Sequence, residues 1–421
     1  MFQAPRGTQD ILPEDQPYWE AVEAQIRRIT PLFGYRRMDV PMFEDTGLYV
    51  RGVGEGTDIV DKEMYTFQDK DGDLLTLRPE FTAGLMRAYL EQGMHTRPQP
   101  VKVYTIGPLF RYERPQAGRL RQHTQFDVEA IGEADAAVDV EVMSVAYALF
   151  EALGFQGLTY NINSIGCPMC RPAYVDRLVG YYRGLMGTIC PDCERRLERN
   201  PLRLLDCKDE RCQAIIEAAP RIEAVLCPDC ARHFGQVLDL LDRMGRSYRL
   251  NHRLVRGLDY YTRTVFEVAA QGLGAQNVLC GGGRYDRLAE AIGGPPTPGV
   301  GFGSGLERII MLMRQQGTAV PPLPEAQIMV LALGDEAKGP GVNLVTAWRG
   351  LGVPSLLAFG ERSLKAQLRQ ANRACVRYAV ILGAQELAEG RAAVRDMAGG
   401  DQFDLPLATV VEDLRARLGS A

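Results

Sequence analysis

Arginine side chains crowd into one short stretch of the chain. Residues 111–121 contain four of them, Arg111, Arg114, Arg119 and Arg121, together with a proline and a glycine of the kind found in turns. A guanidinium group stays charged and offers paired hydrogen-bond donors to phosphate oxygens. The stretch therefore predicts a basic loop that contacts phosphate.

The segments on either side of this loop read as the two strands of a long β-hairpin. Apolar residues recur in 101–106 before the loop and in 126–131 after it. Because successive side chains of a strand point to opposite faces, Gln125 and Glu129 share one face and Phe126 and Val128 share the other. A polar face of this kind is either an exposed sheet surface or the lining of a pocket, and the adjoining arginines favour the pocket.

A glycine-rich strand is predicted in residues 298–310, PGVGFGSGLERII. Glycine occupies every second position from 299 to 305, and Arg308 follows near the start of a helix. Glycine on one face of a strand lets a ligand lie against the backbone. Neither the GxxxxGK[ST] pattern nor the acidic partner of a dinucleotide-binding turn is present, so two common classes of nucleotide site are excluded.

Eight of the ten cysteines lie between residues 167 and 230. They form four pairs: Cys167/Cys170, Cys190/Cys193, Cys207/Cys212 and Cys227/Cys230. Three pairs have the CxxC spacing typical of structural zinc sites, which would stabilise an insertion with a small core. The helices predicted at 171–186 and 210–219 could also pack unaided, so the spacing alone leaves zinc open.

Length and charge limit the remaining interpretations. A chain of 421 residues is expected to form two or three domains. The net charge of −5 means that any RNA contact must come from local basic patches. Because the first residues have no apolar segment and no run of 18 apolar residues occurs, we expect a cytoplasmic protein without a membrane partner.

A proline-rich linker at 318–324 predicts a domain boundary. Beyond it the pattern alternates as β-α-β-α-β, which indicates a small α/β domain. On its second helix Arg362, Lys365, Arg369 and Arg373 fall on one face. This basic stripe is either a solvated surface or an RNA contact.

These stretches resemble the class II aminoacyl-tRNA synthetases, and the histidyl-tRNA synthetases in particular. The string RYERPQAGRLRQHTQFDVEAIG resembles motif 2 of the class, the GxGxGLER pattern resembles motif 3, and a helix followed by a strand at 35–41 that ends on Pro41 resembles motif 1. The string RGLDYYTRTVFE at 256–267 resembles a segment peculiar to the histidyl family. The resemblance implies an α+β fold: the antiparallel class II sheet flanked by helices, a helical insertion and a C-terminal α/β anticodon-binding domain.

Domain boundaries follow from the same resemblance. The catalytic domain would have a first part at 1–166, with motifs 1 and 2, and a second part at 241–324, with the RGLDYY segment and motif 3. The cysteine-rich insertion would span 167–240 and the anticodon-binding domain 325–421. Because the family's chemistry needs no metal in this insertion, structural zinc at the cysteines is not favoured.

The activity implied is ATP-dependent activation of L-histidine to histidyl-adenylate, then transfer to the 3′ end of tRNA(His), by a homodimer that uses ATP and Mg²⁺. Activation is attack of a carboxylate on a phosphate, and it relies on positioning and cationic stabilisation rather than a side-chain nucleophile. A chain with clustered arginines and only four histidines suits that chemistry.

The resemblance also assigns roles to single residues. Arg111 and Arg256 would be catalytic at the α-phosphate. Histidine binding falls to Glu80, Thr82, Gln125, Glu129, Tyr260, Tyr261 and Tyr285. ATP binding falls to Arg111, Glu113, Arg119, His123, Gly303, Gly305 and Arg308. Contact with tRNA falls to Arg114, Gln116, Arg121, Arg362, Lys365 and Arg369.

Three alternatives remain beside this interpretation. Glu80 and Thr82 stand where a helix begins, and their residue types are also common there for structural reasons. The family includes a non-catalytic paralogue that regulates ATP phosphoribosyltransferase in histidine biosynthesis; it would be expected to lack the C-terminal domain. A zinc-stabilised RNA-binding protein without catalysis would not need Glu80, Gln125, Glu129 or Arg256 in these motifs.

Overall fold

The computed structural model of the chain describes residues 2–55, 57–271, 273 and 277–419. It divides into two compact units, Met1–Val320 and Pro321–Ala421. Within the described ranges, no helix combines the length and the apolar character needed to cross a lipid bilayer.

The larger unit contains both helices and strands. Its helices are α1 Gln16–Ile29, α2 Thr46–Val53, α3 Thr82–Glu91, α4 Ala136–Ala152, α5 Arg171–Arg183, α6 Pro191–Arg199, α7 Glu210–Glu217, α8 Pro228–Arg243, α9 Leu288–Ala291 and α10 Leu306–Gln316. Its strands are β1 Arg36–Arg37, β2 Phe43–Asp45, β3 Tyr65–Gln68, β4 Leu74–Leu77, β5 Val101–Phe110, β6 Gln122–Ile131, β7 Leu158–Ser164, β8 Arg249–Leu250, β9 Thr262–Ala270, β10 Val278–Arg284 and β11 Gly299–Gly305.

An eight-stranded sheet with the order β1-β5-β6-β11-β10-β9-β7-β8 forms the centre of this unit. The outer pairs β1/β5 and β7/β8 are parallel, and the pairs between them are antiparallel. The predicted hairpin is confirmed, because Val101 pairs with Ile131 and Phe110 with Gln122. The predicted antiparallel sheet flanked by helices is therefore the fold of the larger unit.

One face of the sheet is covered by helices. Apolar residues of α1, α4, α8 and α10 pack into a single core with β6, β9 and β11, and Phe126, Val128, Phe266 and Phe302 are buried in it. The helix α4 is apolar over most of its surface and is capped by Asp135, whose side chain accepts a hydrogen bond from the Ala137 N–H. The other face of β6 therefore remains for polar side chains.

The strand predicted at 35–41 is much shorter than expected. Only Arg36 and Arg37 pair with β5. The carbonyl groups of Val40 and Pro41 instead accept hydrogen bonds from the Arg78 guanidinium, at 2.7 and 3.3 Å. A side chain thus takes the place of a neighbouring strand, and Pro41 has no N–H to offer one.

The cysteine-rich segment is helical, as predicted, and contains α5, α6, α7 and the start of α8. A short 3₁₀ helix, Pro201–Asp206, lies between α6 and α7. Tyr174, Leu178, Leu204 and Ile216 are buried in a core separate from that of the sheet. The segment therefore packs largely against itself.

The smaller unit has the predicted β-α-β-α-β order and an additional part. Its helices are α11 Lys338–Gly350, α12 Leu364–Arg373, α13 Ala384–Ala388 and α14 Val410–Gly419; its strands are β12 Ile328–Ala332, β13 Ser355–Leu357, β14 Tyr378–Leu382, β15 Arg391–Asp396 and β16 Gln402–Pro406. They form one sheet in the order β13-β12-β14-β15-β16. The first three strands are parallel, and the hairpin β15–β16 extends the sheet antiparallel.

Candidate active site

A cavity of about 310 Å³ lies on the polar face of the large sheet. It is lined by residues from β6, β10, β11, the starts of α3 and α10, the basic loop and the segment before β9. All the residues predicted to be catalytic or to bind histidine or ATP line it: Glu80, Thr82, Arg111, Glu113, Arg119, His123, Gln125, Glu129, Arg256, Tyr260, Tyr261, Tyr285, Gly303, Gly305 and Arg308. Residues distant in the sequence thus meet in one site.

Glu129 is the most firmly held carboxylate of the cavity. It is 1 % exposed, and each of its oxygens accepts a hydrogen bond. Thr82 Oγ1 donates to Oε1 over 2.7 Å and the Tyr285 hydroxyl donates to Oε2 over 2.6 Å. Burial raises the pKa of Glu129 from 4.5 to about 8, against the opposing effect of these two donors. A carboxylate in this state favours a ligand that brings a further donor or a positive charge.

Glu80 both accepts a hydrogen bond from the start of a helix and lines the cavity. One of its oxygens accepts a hydrogen bond from the Ala83 N–H over 3.0 Å, at the start of α3. The other lies 3.5 Å from the donating hydroxyl of Tyr260. Burial raises the pKa of Glu80 as well. The helix-start role that the sequence left open is therefore present, and it does not exclude a contact with a ligand.

Asp127 is a cavity residue to which the sequence interpretation assigned no role. It lies on β6 between Gln125 and Glu129, and it also lines the cavity. It is 3 % exposed, and its Oδ1 has no hydrogen-bond partner among the described residues. Burial, and then the nearby Glu129, raise the pKa of Asp127. The alternation that singled out Gln125 and Glu129 places Asp127 on the same face, so the signal was available.

The glycines of β11 make room for side chains of the site. A Cβ atom on Gly301 would lie 1.6 Å from Glu129 Oε2, and one on Gly303 would lie 1.8 Å from Gln125 Nε2. A Cβ atom on Gly305 would have no heavy atom of the described residues within 4 Å, apart from those of Gly305 and its two chain neighbours. The expectation that a ligand lies along the whole strand is thus modified, because protein side chains fill the space above Gly301 and Gly303.

Of the five arginines in the described residues that line the cavity, three are Arg111, Arg256 and Arg308. Arg111 Nε donates to the Pro79 carbonyl over 2.8 Å, and Arg256 Nη1 lies 3.3 Å from Glu267 Oε2. Arg308 donates from Nε and Nη1 to two backbone carbonyls, each over 2.9 Å. Burial, and then Arg119 and Arg111, lower the pKa of Arg308. Such crowding of like charges favours an anionic ligand.

His123 is an uncharged ring in this arrangement. Burial, followed by the positive charges of Arg111 and Arg308, lowers the pKa of His123 to about 3. A neutral imidazole can stack on a flat aromatic ligand without adding to the positive charge. The position therefore suits the predicted role of His123 in ATP binding.

The basic loop is stabilised by its own acidic residue. Arg119 donates a hydrogen bond to the buried carboxylate of Glu113, and its guanidinium also lies 3.7 Å from Glu63. Arg121 stacks over the Tyr112 ring, with 3.8 Å between the guanidinium carbon and the ring centroid. These contacts set the shape of the loop on which Arg111 depends.

Arg203 is a second residue that was not predicted in the site. It comes from the 3₁₀ helix Pro201–Asp206 of the insertion and lines the cavity. Its Nη2 lies 3.5 Å from Asp58 Oδ2. The insertion holds several arginines, and no spacing in the sequence distinguishes Arg203 from the others.

The residues predicted to contact tRNA lie outside the cavity lining. Arg114 and Gln116 are exposed on the basic loop, whereas Arg121 is partly buried. In the smaller unit Arg362, Lys365 and Arg369 are exposed at and along α12. The predicted basic stripe is thus present on the surface of that unit.

Comparisons with known proteins agree with this geometry. The family model described as histidyl-tRNA synthetase matches residues 7–167 and 203–309, and the model of the anticodon binding domain matches residues 327–417. The histidine–tRNA ligase of Dehalococcoides mccartyi (strain ATCC BAA-2266) is 51% identical over 99% of this chain and 100% of its own length. That of Moorella thermoacetica is 48% identical over 98% of this chain and 97% of its own.

Solved structures show the same fold. The apo histidyl-tRNA synthetase of S. aureus superposes with a TM-score of 0.80 at 35% identity, covering 98% of this chain and 99% of its own. An ATP phosphoribosyltransferase regulatory subunit/histidyl-tRNA synthetase from Bacillus halodurans C superposes with a TM-score of 0.64 at 22% identity, covering 88% of this chain and 96% of its own. At that identity the likeness is one of fold alone. With full-length relatives near 50% identity and two family models in order along it, the chain belongs to the histidyl-tRNA synthetase family.

Proposed function

We propose that the chain is a histidine–tRNA ligase, which activates L-histidine with ATP and transfers it to tRNA(His). One observation carries the proposal: a single cavity holds buried carboxylates, Glu80, Asp127 and Glu129, together with the guanidinium groups of Arg111, Arg256 and Arg308. The carboxylates suit a ligand with an ammonium group and an imidazole, and the guanidinium groups suit a second ligand with phosphates.

Histidine would bind through the acidic residues. Glu129, held by Thr82 and Tyr285, accepts a hydrogen bond from the imidazole N–H, and Tyr261 bounds the ring. Glu80 and Gln125 receive the α-ammonium group. A site built to hydrogen-bond a polar side chain rejects analogues that lack it by about 10⁴-fold or more, since its buried groups are then left without partners.

Activation would proceed at the arginine residues. An oxygen of the histidine carboxylate attacks the α-phosphorus of ATP, the new C–O–P linkage forms, and the bond to pyrophosphate breaks. Arg111 and Arg256 stabilise the negative charge that develops on the α-phosphate oxygens. Arg308 holds the nucleotide tail, and the neutral ring of His123 stacks on adenine.

Mg²⁺ fits this site as an ion bound mainly through ATP. Among the described residues, sets of three or more potential metal ligands occur only at the cysteines, so the cavity offers no carboxylate cage. Mg²⁺ usually binds one or two carboxylates together with substrate phosphates. Glu113 and Glu307 line the cavity with the arginines and would supply those carboxylates. Bound there, Mg²⁺ would neutralise charge on the departing pyrophosphate.

The tRNA would be held at two places. The exposed Arg114 and Gln116, with Arg121, would meet the acceptor end near the cavity. The stripe of Arg362, Lys365 and Arg369 would meet the anticodon stem through phosphate contacts. A catalytic domain in two parts, 1–166 and 241–324, an insertion at 167–240 and an anticodon-binding domain at 325–421 are the boundaries that we propose for a cytoplasmic enzyme of protein biosynthesis.

We also propose that the enzyme is a homodimer. Met42, Phe43, Phe67 and Leu74 are each about half exposed around the small sheet β2-β4-β3, and the rings of Phe43 and Phe67 lie 6.3 Å apart. Apolar groups exposed together in this way commonly mark an interface, and a second copy of the chain would cover them. Sedimentation of the intact chain and of Phe43→Arg tests this: a dimer that dissociates in the variant is expected, and a monomeric intact chain would contradict it.

The experiment for the activity is histidine-dependent exchange of pyrophosphate into ATP, followed by charging of tRNA(His). Exchange with histidine and none with histidinol or other amino acids is expected. Histidine binding without exchange would refute the ligase and favour the regulatory paralogue. Against that paralogue stands the matched anticodon-binding domain at 327–417, which it would be expected to lack.

A further inference from the structure

Eight cysteines of the insertion gather into two sets of four. The outer set joins the first and last pairs, Cys167, Cys170, Cys227 and Cys230, and the inner set joins the two middle pairs, Cys190, Cys193, Cys207 and Cys212. Within each set the sulfur atoms all lie within 4.8 Å of one another. The pairs are therefore nested, an arrangement that their order in the sequence does not reveal.

The sulfur–sulfur distances distinguish between the chemistries open to eight thiols. Cys167 Sγ lies 3.8 Å from the sulfurs of Cys170 and Cys227, and the inner set has contacts of 3.7 and 3.8 Å. A disulfide needs about 2.05 Å. Four thiolates placed tetrahedrally about 2.3 Å from one Zn²⁺ have sulfurs about 3.8 Å apart. The distances match the edges of a zinc tetrahedron.

Backbone N–H groups point at these sulfurs. The N–H of Cys193 donates to Cys190 Sγ over 3.4 Å, and the N–H of Asp209 donates to Cys207 Sγ over 3.4 Å. In the outer set the N–H of Cys167 donates to Cys170 Sγ over 3.2 Å. Such donors stabilise negative charge on sulfur, and outer-shell hydrogen bonds of this kind orient metal ligands.

The size and composition of each set also restrict the ion. Sulfurs within 4.8 Å of one another leave space for one ion, not for a cluster of several metal atoms. Four sulfur ligands in a tetrahedron are typical of zinc. The inner four are all buried, which excludes water from that position.

We propose that the insertion binds two structural zinc ions, one in each set of four cysteines. The inner ion would fix the 3₁₀ helix Pro201–Asp206, which ends next to Cys207 and carries Arg203 to the edge of the cavity. The outer ion would join the beginning of α5 to the beginning of α8. The spacing of the cysteines left zinc open and the family resemblance did not favour it; the three-dimensional distances favour it.

Metal analysis of the intact protein tests the proposal. After expression with zinc and purification without chelator, mass spectrometry of the metals should give two zinc ions per chain. Cys212→Ser should retain one, Cys230→Ser should retain one, and Cys375→Ser, which alters an exposed thiol outside both sets, should retain two. Iron in place of zinc, or a zinc content that the set variants do not change, would overturn it.

Thiol titration of the unaltered protein covers the case in which a variant does not fold. Stepwise addition of an organomercurial in the presence of a zinc-binding dye should release two zinc ions as eight thiols react. Cys375→Ser should release the same two ions. Eight thiols that react with no release of zinc, or disulfides found by mass spectrometry in place of the thiols, would refute the proposal.

Discussion

The hydroxyl of Tyr285 donates a 2.6 Å hydrogen bond to Glu129 Oε2 inside the cavity. Because a hydrogen bond to a charged group contributes about 1.5–3 kcal/mol, its loss in Tyr285→Phe should lower kcat/KM for histidine activation by roughly 10- to 100-fold when measured above the Glu129 pKa of about 8, where that side chain is ionised. Tyr181→Phe is the matched control, since Tyr181 donates to a backbone carbonyl of the insertion. Equal exchange rates in the two variants would contradict the role of Glu129.

The pKa of Glu129 also predicts how stability depends on pH. Its pKa rises from 4.5 in the unfolded chain to about 8 in the folded one, so the folded state binds the proton more tightly. The stabilisation is complete below pH 4.5 and is lost as the pH rises to about 8. In Glu129→Gln the free energy of unfolding, measured in urea without ligands, should fall less steeply over this range. Because the pKa values of Glu80 and Asp127 are raised too, part of the slope should remain. An unchanged slope would contradict the prediction.

Gly301 and Gly305 provide a matched pair of substitutions. A methyl group on Gly301 would meet Glu129 Oε2 at 1.6 Å and a backbone carbonyl at 2.4 Å, so Gly301→Ala should abolish activation and lower the melting temperature. Gly305→Ala meets no heavy atom of the described chain within 4 Å and should fold normally. If Gly305 contacts ATP, its variant should raise KM for ATP several-fold and leave KM for histidine unchanged. A normal KM for ATP would remove Gly305 from the site.

Arg256 should act mainly on the rate of activation. Removal of one donor that stabilises transition-state charge costs about 10²- to 10³-fold in kcat, and Arg256→Ala should show a loss of that size in pyrophosphate exchange. Arg249→Ala, at an exposed arginine a few residues earlier, should exchange normally. A variant at Arg256 that raises only KM would assign it to ground-state binding instead.

The basic stripe predicts a separate effect on tRNA. In Lys365→Glu/Arg369→Glu, tRNA binding should weaken and depend less on salt concentration, since each lost phosphate contact reduces the logarithmic salt slope by about 0.7–0.9. Pyrophosphate exchange should be unaffected, because these residues lie in the other unit. Adding Glu386→Lys and Glu412→Lys, at acids elsewhere in that unit, to the double variant restores the total charge and should not restore tRNA binding. Unchanged charging by the double variant would refute the anticodon role.

The hairpin and the polar face of β6 could be predicted because strand alternation is a local property. It placed Gln125 and Glu129 on one face without any knowledge of the neighbouring strands. The roles of Arg111 and Arg256 were predicted from the motifs that contain them. Features that arise from contacts between distant segments were missed. Arg203 reaches the cavity only because the insertion folds back, and the nesting of the cysteine pairs depends on that same folding. The hairpin β15–β16 was not predicted either.

Local signals were also misleading in places. The predicted strand 35–41 shrank to two residues because Arg78 occupies the carbonyls of Val40 and Pro41. The sequence of residues 35–41 does not indicate that the guanidinium group of Arg78 contacts this segment. Where a side chain replaces a strand partner, the pattern within one segment is insufficient.

The Sγ atoms of Cys167 and Cys227 lie 3.8 Å apart, although the two residues are 60 positions apart in the sequence. The chain therefore leaves the region that follows β7 and returns to nearly the same point. The segment between Cys167 and Cys227 is therefore a side branch of the catalytic unit, and its two ends lie close together. A branch of this kind can lengthen, shorten or diverge without moving the strands that carry the chemistry. The family model follows this chain to residue 167 and resumes at 203, so the stretch it leaves unmatched lies wholly within that branch.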